Sequence, residues 1–135
     1  MLYLRYGNVE IKKQTQIFVT VSYYFRMQEY RKKLLMSKQI SDDIKQFSYE
    51  ICQKHKVIIR YMEADKDHIH YMIETEPTMS ISKIVNLMKS YTTYHIWKRY
   101  PDYLRNISGK NILFGRTDIL SAVWEMYQKR CPENI

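Results

Sequence analysis

Residues 57–73 read VIIRYMEADKDHIHYMI, and the fold is decided in this stretch. Val57-Ile58-Ile59-Arg60-Tyr61-Met62 is β-branched and aromatic, Ala64-Asp65-Lys66-Asp67 offers turn chemistry, and His68-Ile69-His70-Tyr71-Met72-Ile73 is a second run of the same kind. The pattern predicts a β-hairpin. Alternate residues of a strand share a face. His68, His70, Met72 and Glu74 therefore stand on one side, and Ile69 and Tyr71 on the other, with Ile69 directed into a helix-packed core.

Upstream of the hairpin, Ile40, Ile44, Phe47 and Ile51 recur at helical spacing. Ser41 is a plausible cap, and Asp42 and Asp43 fall in the first turn, where carboxylates complement the helix dipole. Downstream, after Pro77, a second helix opens near Met79 or Ser80, carries Ile81, Ile84, Val85 and Met88 on one stripe, and ends on Lys98 and Arg99 before Pro101. Residues 16–25, QIFVTVSYYF, have the composition of a strand. The order strand, helix, strand, strand, helix is five-sixths of an α+β, ferredoxin-like βαββαβ sandwich with an antiparallel sheet. The sixth element should be a strand after residue 105. Residues 118–130, DILSAVWEMYQKR, read instead as a short helix with Ile119, Leu120, Val123 and Tyr127 near one face, so the final strand is expected to be missing or replaced.

The chain has 135 residues, 22 Lys+Arg and 14 Asp+Glu, for a net charge of +8. That length suits a single domain over 1–135 and excludes a large multidomain enzyme. No uncharged apolar run approaches the ~20 residues of a membrane span, and the first residues lack a signal peptide's apolar core, so the expected location is the cytoplasm. Cys52 and Cys131 form neither a metal-binding spacing nor a disulfide framework. Thirteen tyrosines in a basic chain favour a polyanionic partner, because cations neutralise phosphates and rings stack on unpaired bases.

Two imidazoles on one face of a strand can share a divalent ion, which polarises a phosphoryl oxygen during phosphodiester cleavage. The segment around them, Glu63 to Pro101, resembles the single-tyrosine HUH transposases of the insertion-sequence 200/605 (IS200-like) group. The residues that carry the resemblance are His68-Ile69-His70 after an Asp-containing hairpin, Glu76-Pro77, Ile81-Ser82-Lys83, Lys89-Ser90 and, upstream, Tyr30-Arg31-Lys32-Lys33. It spans about residues 30–105.

The resemblance implies an enzyme that cuts and rejoins single-stranded DNA at insertion-sequence ends, recognises hairpins, needs Mg²⁺ or Mn²⁺ and works as a homodimer. It implies that His68 and His70 are metal ligands, joined in the family by a glutamine on a C-terminal helix. A tyrosine of that helix forms a 5′-phosphotyrosine. Arg31, Lys32, Lys33, Lys89, Lys98 and Arg99 become candidate phosphate contacts. Tyr91 and Tyr94 stand where relatives usually carry arginine.

The family's nucleophilic Tyr, with Gln four residues on, has no match between residues 106 and 135. Tyr127 is the substitute, with Cys131 at the glutamine's place. Back-translated with permitted codons and read from the third base of the Asn106 codon, residues 106–135 can spell the family's closing strand up to its tyrosine. Residues 14–28, read one base on, can spell its first strand. The expectation is a frameshifted transposase remnant with surviving histidines, little or no catalysis and an unpaired sheet edge. Two other readings are a non-catalytic single-stranded nucleic-acid-binding module, which wants aromatic residues on the sheet face, and a small structural domain.

Overall fold

The computed structural model describes residues 5–6, 9–10, 15–29, 37–65, 67–107 and 113–130. Its elements are β1 (Arg5–Tyr6), β2 (Val9–Glu10), β3 (Thr15–Glu29), α1 (Lys38–Lys54), β4 (Ile58–Ala64), β5 (His68–Thr75), α2 (Ile81–Arg99), α3 (Pro101–Ile107) and β6 (Phe114–Arg130). Strands β1 and β2 pair with each other, and the other four form one sheet in the order β4-β5-β3-β6 with every neighbouring pair antiparallel. With β3 and β5 in the centre, each flanked by a strand from the other half of the chain, the sheet has the ferredoxin-like arrangement that the order of elements predicts.

The expected hairpin is β4 and β5, and its faces divide as the alternation requires. Ile69, Tyr71 and Ile73 are buried, whereas Met72 is 39% exposed. The buried face joins Phe25 and Met27 of β3 to Ile40, Ile44, Phe47 and Ile51 of α1 and to Ile84, Val85, Met88 and Ile96 of α2. Phe25 and Tyr71 stack at 5.1 Å between ring centroids. Burial pushes the Tyr71 phenol up. Ser48 Oγ donates to the Ile44 carbonyl at 2.8 Å and lies 3.0 Å from the Tyr71 oxygen, so the tyrosine hydroxyl has its acceptor in Ser48. Ser48→Ala leaves that buried hydroxyl unpaired and is expected to cost about 1–3 kcal/mol, read as a lower urea midpoint at unchanged slope.

Both long helices start at a serine. Ser37 caps α1, accepting from Ile40 N, and Ser80 caps α2, accepting from Lys83 N. The first cap therefore lies four residues before Ser41, which is buried inside the helix, and Asp42 and Asp43 fall beyond the first turn. The α1 helix ends with Val57 N bonded to Cys52 O at 2.9 Å and Lys56 at a φ of 58°, a left-handed closure that brings the chain directly into β4. Pro101 does stop α2, but it also opens α3, where the missing proline N–H costs nothing.

The largest correction concerns the end of the chain. Residues 118–130 are not a helix: they belong to β6, which supplies the sixth element and pairs with β3 from Glu29↔Phe114 to Thr15↔Arg130. The final strand is present, and the edge of β3 expected to be bare is covered. The apolar residues there satisfy a helical period on paper, yet Ile119, Leu120, Val123 and Tyr127 are all exposed. A 15-residue partner strand offers backbone hydrogen bonds over the whole length, and that pairing outweighs a helical stripe with nothing to pack against. The inserted residue between Tyr24↔Ser121 and Phe25↔Ile119 makes a β-bulge at Leu120.

Candidate functional site

His68 and His70 project from β5 on the face away from the helices, half-buried, with ring centroids 6.4 Å apart. Across from them on β3 stand Gln28 and Arg26. His68 Nδ1 lies 2.6 Å from Asp67 Oδ1, which fixes the ring and leaves Nε2 for another partner. His70 Nδ1 is 3.2 Å from the Tyr24 hydroxyl, and its Nε2 is 3.5 Å from Asp65 Oδ2. Tyr24, Tyr61, Glu63, Asp65 and His70 line a pocket of about 230 Å³, in which the Tyr61 hydroxyl donates to Glu63. That carboxylate raises the Tyr61 pKa, since it stabilises the protonated phenol. Arg26 donates through Nε to Asp118 at 3.1 Å, and Arg116 joins the same carboxylate at 2.7 Å. The hydrogen bond from Arg26 is the main cause holding Asp118 below the usual carboxylate range.

The donor set suits a divalent ion bound by two imidazole nitrogens, with water or substrate oxygens filling the remaining positions. Among the described residues no three His, Cys, Asp or Glu side chains converge into a ready cage.

The basic residues divide into groups. Lys89 and Lys98 line a cleft of about 690 Å³ between α2 and the start of β6, together with Ser90, Thr93, Tyr94, Trp97, Leu113 and Phe114. Lys89 Nζ donates to the Gly115 carbonyl at 2.9 Å, and its partial burial lowers its pKa. Lys98 sits 5.9 Å from the centroid of the Tyr94 ring. The buried Trp97 Nε1 has no hydrogen-bond partner among the described residues. Arg99 instead turns to α1, pairing with Asp43 at 3.1 Å and lying over Phe47. Arg31, Lys32 and Lys33 lie outside the described residues. The cleft borders Phe114, which pairs with Glu29, while His68 pairs with Gln28. The cleft and the histidines therefore share one end of the sheet, on opposite faces.

Tyr127 is not brought to that end. It pairs with Phe18 and stacks on it at 5.5 Å. The strand from Phe18 to Arg26, the residue opposite His70, advances 26 − 18 = 8 residues, on the order of 25 Å.

The profile of the family described as IS200-like transposase matches residues 20–123. The chain belongs to the IS200-like transposase family. The match takes in residues 20–29 and 106–123, which reading the sequence leaves outside the resemblance. Among solved structures, the fold is shared with a Deinococcus radiodurans protein assigned as a transposase, at TM-score 0.68 and 13% identity, with 87% of this chain and 85% of that one covered. It is also shared with the REP-associated tyrosine transposase bound to a REP hairpin, at TM-score 0.50 and 13% identity, over 97% of this chain and 65% of that one. No curated protein matches the sequence.

Reading the sequence misses Tyr24, Arg26 and the cleft. Alternation on β3 could have placed Tyr24 and Arg26 on the histidine face, but only with the β3–β5 register in hand.

Proposed function

We propose that this transposase binds single-stranded hairpin DNA and that its chemistry is metal-assisted tyrosine transesterification, with Mg²⁺ or Mn²⁺ held by His68 and His70. The observation that carries the reading is the placement of a basic, aromatic cleft and a half-buried histidine pair at one end of the sheet. A stem held by Lys89 and Lys98 beside Tyr94 could pass its unpaired strand around that end to the histidines. The ion would polarise the phosphate. This copy is expected to be weakly active or inactive, because Tyr127, the substitute for the family's attacking tyrosine, lies at the far end of the sheet from the histidines. We assign Arg31, Lys32, Lys33 and Arg99 to the same DNA, and the cytoplasm as its location; no described helix is long and apolar enough to cross a membrane. A homodimer belongs to this reading, supported by the exposed Trp124 and Met126 on the edge strand β6.

Fluorescence anisotropy with a labelled hairpin oligonucleotide tests the binding. A single-stranded oligonucleotide of the same length without a stem should bind more weakly. Lys89→Ala and Lys98→Ala should each reduce the slope of log affinity against log salt by about 1. Equal affinity for both oligonucleotides, with salt slopes unchanged in the variants, would remove the cleft from the proposal. The second reading, a non-catalytic binding module, draws on Tyr24 and Tyr61 beside the histidines. It requires hairpin affinity to be indifferent to Mn²⁺ and to EDTA.

A further inference from the structure

We propose that Arg26 and Arg116 are phosphate contacts for the unpaired strand beside the hairpin, and that this strand crosses the start of β6 on its way to His68 and His70. The inference rests on the hairpin binding proposed above and supplies the route between its two sites. The cleft and the histidines occupy opposite faces at one end of the sheet, and β6 is the edge strand that borders the cleft. Leu113 and Phe114 belong to the cleft's lining, and the Gly115 carbonyl accepts from Lys89 Nζ at 2.9 Å.

The first residues of β6 pass from one face to the other. Phe114 pairs with Glu29 and Thr117 with Met27, so Gly115 and Arg116 both stand against Gln28. A bulge of this kind re-aims the side chains on either side of it. Phe114 is buried at the cleft, whereas Arg116 and Asp118 share the histidine face with Arg26, which lies directly across from His70. One carboxylate holds both guanidiniums: Arg26 Nε donates to Asp118 Oδ2 at 3.1 Å, and Arg116 Nε to Oδ1 at 2.7 Å. Both bonds run through Nε, which leaves the terminal amino groups for phosphate oxygens in the planar geometry that guanidinium favours. Two cations on one carboxylate keep a net positive charge. Chain neighbours aside, no described atom lies within 4 Å of the place a Cβ would take on Gly115, so the crossing point is open.

Charge disfavours the opposite approach, over β4. Glu63 and Asp65 line the pocket beside His70 on that side, and Arg60 is neutralised by Glu74 at 2.9 Å. The histidines thus have carboxylates toward β4 and guanidiniums toward β6. A backbone with a negative charge on every phosphate is drawn in from the β6 side.

The test compares, by anisotropy on the whole chain in EDTA, a blunt labelled hairpin with the same hairpin carrying a short unpaired tail at its 5′ or 3′ end. One of the tails should raise the affinity of the wild type and steepen the slope of log affinity against log salt by about 1.4, from about 0.7 for each neutralised phosphate of a single strand. Arg26→Gln and Arg116→Gln should each remove about half of that increment, and the double variant all of it, with blunt-hairpin affinity unchanged. Arg60→Gln should leave the increment intact. Arg116 is 77% exposed, so Arg116→Gln carries the test alone if Arg26→Gln, on the central strand, loses its folded circular dichroism. A tail effect that survives Arg116→Gln, or that Arg60→Gln reduces as much, overturns the proposal. Loss of blunt-hairpin affinity in a folded Arg116→Gln places that arginine on the stem and also overturns it. A wild type that binds the blunt hairpin and gains nothing from either tail overturns the route and leaves the cleft's role standing. A wild type that binds none of these oligonucleotides overturns both.

Discussion

Phe25→Ala is expected to lower the stability of this transposase by about 3–5 kcal/mol, the range for removing a fully enclosed aromatic side chain. Phe25 has no solvent exposure and lies in the middle of the central strand, opposite Tyr71 of β5 and Ile119 of β6. Its ring stacks on Tyr71 with 17° between the planes, and both belong to the core shared with α1 and α2. Truncation opens a cavity in the core that β3 and β5 share with α1 and α2. It also removes the surface against which the Tyr71 ring is held. A domain of this size is typically stable by only about 5–15 kcal/mol, so the variant should unfold at markedly lower urea, followed by circular dichroism. A loss below about 1 kcal/mol would mean that β3 is not the centre of the sheet.

The second large effect is on metal binding. His68→Ala combined with His70→Ala is expected to abolish Mn²⁺ binding in titration calorimetry and leave the thermal midpoint nearly unchanged. Both side chains sit on the face away from the core, about one-fifth exposed, and substitutions outside the core usually stay within about 0.5 kcal/mol. Removing both nitrogen donors leaves Asp65, Asp67 and Glu63, which among the described residues do not converge on one point. Mn²⁺ affinity equal to wild type in the double variant would place the ion elsewhere. Loss of the folded signal would show instead that the histidines are structural.

The hairpin β4–β5 was legible because turn residues, β-branched runs and alternation all agree on it, and the same agreement placed His68 and His70 on the open face. The helices were legible from the spacing of Ile40, Ile44, Phe47 and Ile51 and of Ile84, Val85 and Met88. What could not be read is what depends on distant pairing. Residues 118–130 have apolar positions compatible with either period, and only the long partner strand β3 decides between them. The cap of α1 was misplaced by four residues because Ser37 and Ser41 both suit the role locally, whereas Ser80 was read correctly as the start of α2. Tyr24 was one tyrosine among thirteen until the β3–β5 register set it beside His70. Lys89 and Lys98 were visible as charges, but their convergence on one cleft required the fold of α2 against the start of β6.

The partnership of Thr15 with Arg130 governs how the molecule is made on the ribosome. One flank of the central strand can be satisfied by β5 as soon as residue 75 has emerged, but the other needs residues 114–130. Throughout the synthesis of α2 and α3 the nascent chain carries a growing hydrophobic core beside an open row of backbone donors and acceptors. Closing that seam joins positions between 85 and 115 residues apart, and such non-local pairing is slow to form. A pause or truncation between residues 76 and 113 therefore yields a half-zipped sheet that offers its bare flank to chaperones or to neighbouring copies.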